Sequence, residues 1–392
     1  MAIAMRRVAV VGTGLGRWGV RSATLKELAQ EAGKALFDDV DNLGRREVDS
    51  LVVGCALAER LAFQSYVAPM VAEQLGVNPT KMLARTELAC VSGQSAIKMA
   101  YMAIATGLSD VALVVGLEKM NLPDMSETQA SMACVLDREW EGVNGMTAPP
   151  YFAMVAQRHM HEYGTTQEQL ALVSVKNHRF SATNPFAHFP KEVSMERVLG
   201  SPLISPPLRL LDCSGITDGA AAVLLAAEER AREMTDTPVY IEGLGQAATG
   251  NLTVNLPSLT SWPVMQRATK DALKMAGVTI GDMDLAEVHD CFTISEIIEY
   301  EELGLCEKGK GGLFIEEGQS DIGGKLPTNT RGGLLGCGHP LGATGVAQVV
   351  EVAQQFKAQV PSQRYVGGEW GLCHNLSGNA NNHSVLVLRR GS

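Results

Sequence analysis

Three short segments carry side chains able to make and break bonds. Cys90 lies in ELACVSGQSAI, after a short apolar stretch and before the small residues Ser92, Gly93 and Ser95. A helix-like run follows, which places the thiol at a strand-to-helix turn, at the positive end of a helix. Such a position favours a thiolate nucleophile; the plain alternative is a buried core cysteine. The second segment is HDCF, with His289, Cys291 and Phe292. The third is GCGHPLGATG, where glycine crowds His339 and Pro340 sets the turn. Glycine lets backbone approach a ligand, and a helix starting there offers free N–H groups. An imidazole in that loop serves as acid, base or donor to a developing oxyanion, or else as a turn histidine satisfied by backbone.

These segments need a scaffold. VAVVG (8–12), LVVG (51–54) and VALVVG (111–116) are short apolar runs that read as buried strands. TLKELAQEAGKALFDDV has helical spacing and opens on a capping box, Thr24 with Glu27. Alternating strands and helices predict an α/β chain with much parallel sheet. Residues from about 119 to 207 are rich in Met, Asn, His, Pro and aromatics, and are expected to form an inserted loop domain. The strand pattern returns at GAAAVLLAA, and a second half begins near VYIEGLG. The expected division is 1–238 and 239–392. A faint internal repeat supports two similar halves. Aligning Asp49 with Asp284 sets Gly54 opposite His289, and CVSGQSAI pairs with HPLGATGV. If the halves pack about a pseudo-twofold axis, Cys90 and His339 meet at their junction.

Bulk properties narrow the classes. The chain has 392 residues, 46% of them apolar and 19% charged, with a formal net charge of −10. That balance disfavours nucleic-acid binding, which needs a basic face. No apolar run approaches the roughly 18 residues of a membrane span. The N-terminal stretch reads as a first strand rather than a signal peptide, and a cytoplasmic location is expected. The eight cysteines are scattered, without C-x-x-C spacing, so reduced thiols and no structural metal site are expected.

Taken together, ELACVSGQSAI, HDCF, GCGHPLGATG and RLLDCSGITDGAAAVLLA resemble the thiolase family over essentially the whole chain. The resemblance implies the thiolase fold: two similar α/β halves with an inserted loop domain. It implies acyl transfer between coenzyme A thioesters such as acetyl-CoA, forming or cleaving a 3-ketoacyl-CoA, with no further cofactor. It also implies a homodimer or homotetramer. In its terms Cys90 is the nucleophile, His339 activates it, and His289 and Phe292 face the thioester. Gly378 with the Cys90 backbone is the expected second oxyanion hole. HDCF is the form of the archaeal and sterol-carrier-protein thiolases, which implies that Cys291 is the second catalytic cysteine; Cys373 is the alternative. The C-terminal segment GLCHNLSGNANNHSVLVL departs from the family's Cys-x-Gly turn and puts Asn375 where the base cysteine usually stands. Lys176, His178, Arg179, Lys191 and Arg209 are the expected cations for the coenzyme A phosphates.

Other classes remain in view. GLGRWG (14–19) spells a dinucleotide-binding pattern, but RSA separates it from the expected helix start at Thr24. A thiolase-like subunit of an acyltransferase complex, with a synthase and a small OB-fold accessory protein, is a second possibility. A steroid side-chain aldolase is a third, and Cys90 argues against it, since such relatives lack the nucleophilic cysteine.

Overall fold

The computed structural model describes residues 5–40 and 43–391. Nine strands form one sheet: β1 (Val8–Leu15), β2 (Ser50–Gly54), β3 (Met82–Thr86), β4 (Val111–Glu118), β5 (Gly219–Ala227), β6 (Val239–Ala248), β7 (Leu285–Glu287), β8 (Trp370–Ser377) and β9 (Asn382–Arg390). Their spatial order is β3-β2-β4-β5-β1-β6-β9-β8-β7. The order reads the same outward from the centre. β1 and β6 pair antiparallel in the middle. Each is flanked by an antiparallel strand, β5 or β9. Beyond these come antiparallel β4 and β8, then parallel β2 and β7. β3 adds a fifth strand to the first half, and a single parallel bridge between Ala286 and Thr328 stands in the matching place of the second.

The helices that position the site are α1 (Leu25–Asp39), α2 (Ser92–Ala105), α3 (Ala148–Tyr163), α4 (Gln167–Ser181), α5 (Pro263–Ala276), α6 (Thr293–Glu302) and α7 (Leu341–Phe356). Thr24 caps α1 with Glu27 in the expected capping box. Strand alternation divides the core. Val8 and Val10 face one cluster with α2, α7 and second-half residues Leu386 and Leu388. Ala9 and Val11 face the other way, against α1. On the far side of the second half, α3 to α6 form a further core. Thus α2 and α7 lie between the two half-sheets, and nearly every residue of α7 is buried.

That burial dictates glycine at the crossing. A Cβ on Gly342 would sit 2.4 Å from the carbonyl oxygen of Gly54, and one on Gly93 2.6 Å from that of Gly342. Only bare backbone lets α2 and α7 approach so closely. Residues 119–207 contribute helices, including α3 and α4, and none of the nine strands. No helix among the described residues is long and apolar enough to cross a membrane.

Candidate active site

Cys90 is presented by a strained turn. Ala89, just before it, has φ of +48°, a left-handed conformation costing about 1–2 kcal/mol for an L-residue. The turn is held by Ser92: its hydroxyl accepts from the N–H of Leu88 at 2.9 Å and donates to the carbonyl oxygen of Ala89 at 2.7 Å. Thr86, the last residue of β3, donates to the carbonyl oxygen of Ser92. The first turn of α2 is thus tied to the strand before it.

His339 enters from the start of α7, and His289 follows β7. The two rings meet edge to face with centroids 4.8 Å apart. The thiol of Cys90 and one nitrogen from each ring all lie within 4.8 Å of one another. Residues far apart in the chain converge because α2 and α7 cross at the junction of the halves. Gly54 is the last residue of β2, and His289 lies two residues beyond the shorter β7. Buried Glu118 braces the junction by accepting from the N–H groups of Ala56, Leu57 and Gly342 at 2.8–3.1 Å.

The electrostatics make the resting groups neutral. Burial pushes the Cys90 thiol up to about 12, and the carboxylates of Glu118 and Glu87 push the same way. Burial lowers His339 to about 3. It also holds His289 well below its ordinary value, with neighbouring His339 acting in the same direction. This corrects the expectation of a resting thiolate favoured by the helix end: a partly buried thiol with two carboxylates near it and no charged imidazole keeps its proton. Nε2 of His289 and Nε2 of His339 are buried without a protein partner. An unpaired buried polar atom costs free energy unless a ligand satisfies it. The same thiol-and-imidazole trio has the donor set of a metal site.

Cys291 lies beside this centre. It is buried, its sulfur is 3.7 Å from the Ser295 hydroxyl, and a charge on Cys90 would push its pKa further up. Cys373 is buried on β8 within the core between the half-sheets, where burial and Glu287 raise it. Asn375, two residues on and one pleat repeat of about 7 Å away, points at the site instead. Its amide nitrogen is 2.8 Å from Nδ1 of His289. Phe292 is buried and stacks on Phe152 with centroids 4.6 Å apart. Gly378 has φ of +63° in the turn from β8 to β9 and faces the loop at Val135, which packs against the same small cluster as Cys90.

The five expected phosphate cations do not form a group. Lys176 is buried on α4, with its ammonium on Glu296 and the Thr328 carbonyl, and His178 is buried against the Ser174 carbonyl. Arg209 donates to the Ser201 carbonyl, and Arg179 pairs with Asp321. Only Arg179 and Lys191 are exposed. The cause is that α4 packs against α6, so half of its polar residues face inward. A cavity of about 440 Å³, lined by Leu57, Arg85, Glu87 and Val135 among others, lies beside the Cys90 turn. A larger cleft of about 910 Å³ between Arg7, Tyr240 and Arg389 includes none of these residues. The GLGRWG segment ends β1 and runs into a loop, and the next helix starts only at Leu25, so no helix N-terminus faces it.

Sequence reasoning missed the groups behind the rings. Thr344 lies 2.7 Å from Nδ1 of His339. Gln348 reaches Asn375, and the pair His374–His383 is buried with Nε2 to Nδ1 at 2.9 Å. Glu299 lies 3.4 Å from Nδ1 of His374. Nε2–H of His383 donates to the Ala380 carbonyl, so His374 donates to His383 and turns a lone pair toward Glu299. Burial raises the Glu299 carboxyl well above its ordinary value, and Glu296 and Asp290 push the same way. Thr344 was within reach of sequence reasoning, because it belongs to the GHPLGATG loop. Nothing in the pattern marks the others.

A two-half α/β protein with a cysteine and two neutral histidines at its internal junction defines a class of acyl-transfer proteins. The chain belongs to the thiolase family. The thiolase N-terminal domain matches residues 7–229, and the thiolase C-terminal domain-like family matches residues 245–390. The chain is 41% identical, over 98% of its length and all of the other, to the acetyl-CoA acetyltransferase of Methanothermobacter thermautotrophicus. It is 33% identical to the benzoylsuccinyl-CoA thiolase subunit BbsB of Thauera aromatica, covering 91% of this chain and 90% of that one. Among solved structures, the Ltp2–ChsH2(DUF35) aldolase superposes with a TM-score of 0.85 at 27% identity, covering 99% of each chain.

Proposed function

We propose that the protein forms or cleaves a short 3-ketoacyl-CoA, acetoacetyl-CoA in the simplest case, through an acyl group carried on Cys90. The observation that carries this reading is the convergence of Cys90, His289 and His339 within 4.8 Å, with both imidazoles neutral. The Cys90 proton passes to Nε2 of His339 as the sulfur attacks the acetyl-CoA carbonyl. The tetrahedral oxyanion collapses, and the departing coenzyme A thiolate takes the proton from His339. Acetyl-Cys90 remains. Cys291 rests as a thiol, so its proton first passes to Nε2 of His339, free again after acylation; the sulfur then takes an α-proton from a second acetyl-CoA, whose enolate oxygen accepts from His289. The enolate carbon attacks acetyl-Cys90, Cys90 leaves as a thiolate and takes the proton held on His339, and Cys291 keeps the α-proton as a thiol. The reverse order is thiolysis. Coenzyme A thioesters are the substrates in this reading, and no resident cofactor is required.

Arg179 and Lys191, the exposed members of the expected cation set, are the ones left to meet the coenzyme A phosphates. The direct test is incubation with acetyl-CoA followed by intact-mass measurement. An acetyl adduct that disappears in Cys90→Ala is expected; an adduct that persists in Cys90→Ala would place the nucleophile elsewhere.

A second reading is a subunit of a larger acyltransferase complex working on an unusual acyl group. It is favoured by the BbsB subunit and the DUF35-containing aldolase among the relatives. Co-purification of the native chain with a synthase and a small OB-fold protein, in place of a free homodimer or homotetramer, is its expected result.

A further inference from the structure

Each ring at the site leaves its Nε2 without a protein partner and turns its Nδ1 toward a group whose hydrogen-bonding direction is set by a further neighbour. For His339, Nδ1 lies 2.7 Å from the hydroxyl oxygen of Thr344. That hydroxyl lies 2.9 Å from the carbonyl oxygen of Pro340, which can only accept. The threonine hydrogen therefore points at Pro340, and its oxygen accepts from Nδ1–H. Nε2 of His339 is left with a lone pair.

For His289 the commitment is passed along one further residue. The amide nitrogen of Gln348 donates to the carbonyl of His374 at 2.8 Å and faces that of Val288 at 3.3 Å. Its Oε1 must then face the other way, 3.3 Å from Nδ2 of Asn375. The same Nδ2 is 2.8 Å from Nδ1 of His289. Turning the asparagine amide over would set two amide oxygens against each other. Nδ1 of His289 is therefore an acceptor, and the single proton of this neutral ring sits on Nε2.

We propose that Thr344 and Asn375, the latter oriented by Gln348, are positioning residues that hold the two histidines in opposite tautomers. His339 presents a lone pair to the Cys90 proton. His289 presents a hydrogen to a thioester oxygen. The inference rests on the acyl-transfer reading for its purpose, though not for its geometry. It also decides between two uses of the trio. A metal ion needs a lone pair from each ring, and His289 as held offers a hydrogen, so the centre suits a partly negative oxygen.

The test is nitrogen-15 histidine NMR on the full chain at neutral pH without substrate, with the two rings assigned by loss of signal in His289→Gln and His339→Gln. Two neutral rings are expected, protonated on Nε2 in His289 and on Nδ1 in His339. Thr344→Val should release only His339 into a tautomer mixture, and Asn375→Ala only His289. Either wild-type ring in the other tautomer, or charged, overturns the proposal. So does a wild-type pattern retained in both folded variants. If a variant fails to fold, the wild-type spectrum alone decides. A wild-type protein with these tautomers that takes no acetyl group from acetyl-CoA would sink the acyl-transfer reading and leave the tautomer assignment standing.

Discussion

Cys90 and His339 each rest neutral, with the thiol pushed up to about 12 and the imidazole down to about 3. Neither crosses its pKa at ordinary pH. The rate of Cys90 acetylation is thus expected to be nearly flat from pH ~6 to ~9, since proton transfer occurs within the encounter rather than beforehand. Stopped-flow acylation with a sharp inflection near neutrality would show that one of them titrates there. Cys291→Ala should still accept an acetyl group but lose condensation and exchange of acetyl-CoA α-protons, whereas Cys373→Ala should keep both. The opposite pattern would make Cys373 the base. Lys176 is a third case. Removing it leaves buried Glu296 with the neutral donors Asn177, Asn329 and Tyr300 and no cation, so Lys176→Met should cost about 3–5 kcal/mol. In the fraction that folds, the KM for acetyl-CoA should stay at the wild-type value, because this ammonium faces Glu296 and not the solvent.

At the scale of elements, the site depends on how closely α2 and α7 approach. A Cβ at Gly342 would meet the backbone oxygens of Gly54 and Leu117 at 2.4 and 2.5 Å. Neither can swing aside as a side chain could, so Gly342→Ala should lower stability by about 1–3 kcal/mol in denaturant titrations. The shift needed to relieve the clash moves the loop that carries His339. Acetylation of Cys90 should therefore slow by more than the loss of folded protein explains. Unchanged acetylation per folded molecule would mean that the loop absorbs the displacement without moving the ring.

For the whole molecule, the buried titratable groups set a pH window. His289, His339, His374 and His383 all have depressed pKa values because burial disfavours the charged ring. The unfolded chain takes up their protons first, so their contribution is present above the unfolded value of ~6.5 and is lost as pH falls. Glu287 is raised to about 8 and Asp290 to about 7, chiefly by burial. The folded chain holds these protons after the unfolded chain has released them, so this contribution falls as pH rises toward 8. Stability should therefore peak between pH ~6 and ~7. Unfolding midpoints that rise steadily to pH 9 would contradict it.

The sequence by itself determined which side chains can react and what local backbone carries them. Cys90 before small residues, the glycines around His339, and the Thr24–Glu27 capping box are all local statements, and local spacing is what periodicity reports. Even the topological repeat was visible, because matching halves reuse matching turns: the N–H groups of Asp49 and Asp284, aligned in the sequence, donate to the carbonyls of Val111 and Trp370, which open β4 and β8. Direction and burial were decided only by tertiary structure. Lys176 and Arg179 stand three residues apart on one helix, yet one is buried against Glu296 and the other is exposed, since that follows from where α6 packs. The state of the thiol was likewise out of reach: a helix end argues for a thiolate, and desolvation with two carboxylates nearby outweighs it. The proton positions on His289 and His339 depend on Thr344, Gln348 and Asn375, of which Asn375 lies 86 residues along the chain from its ring. No pattern of spacing encodes which carbonyl an amide will face once two half-sheets close around it.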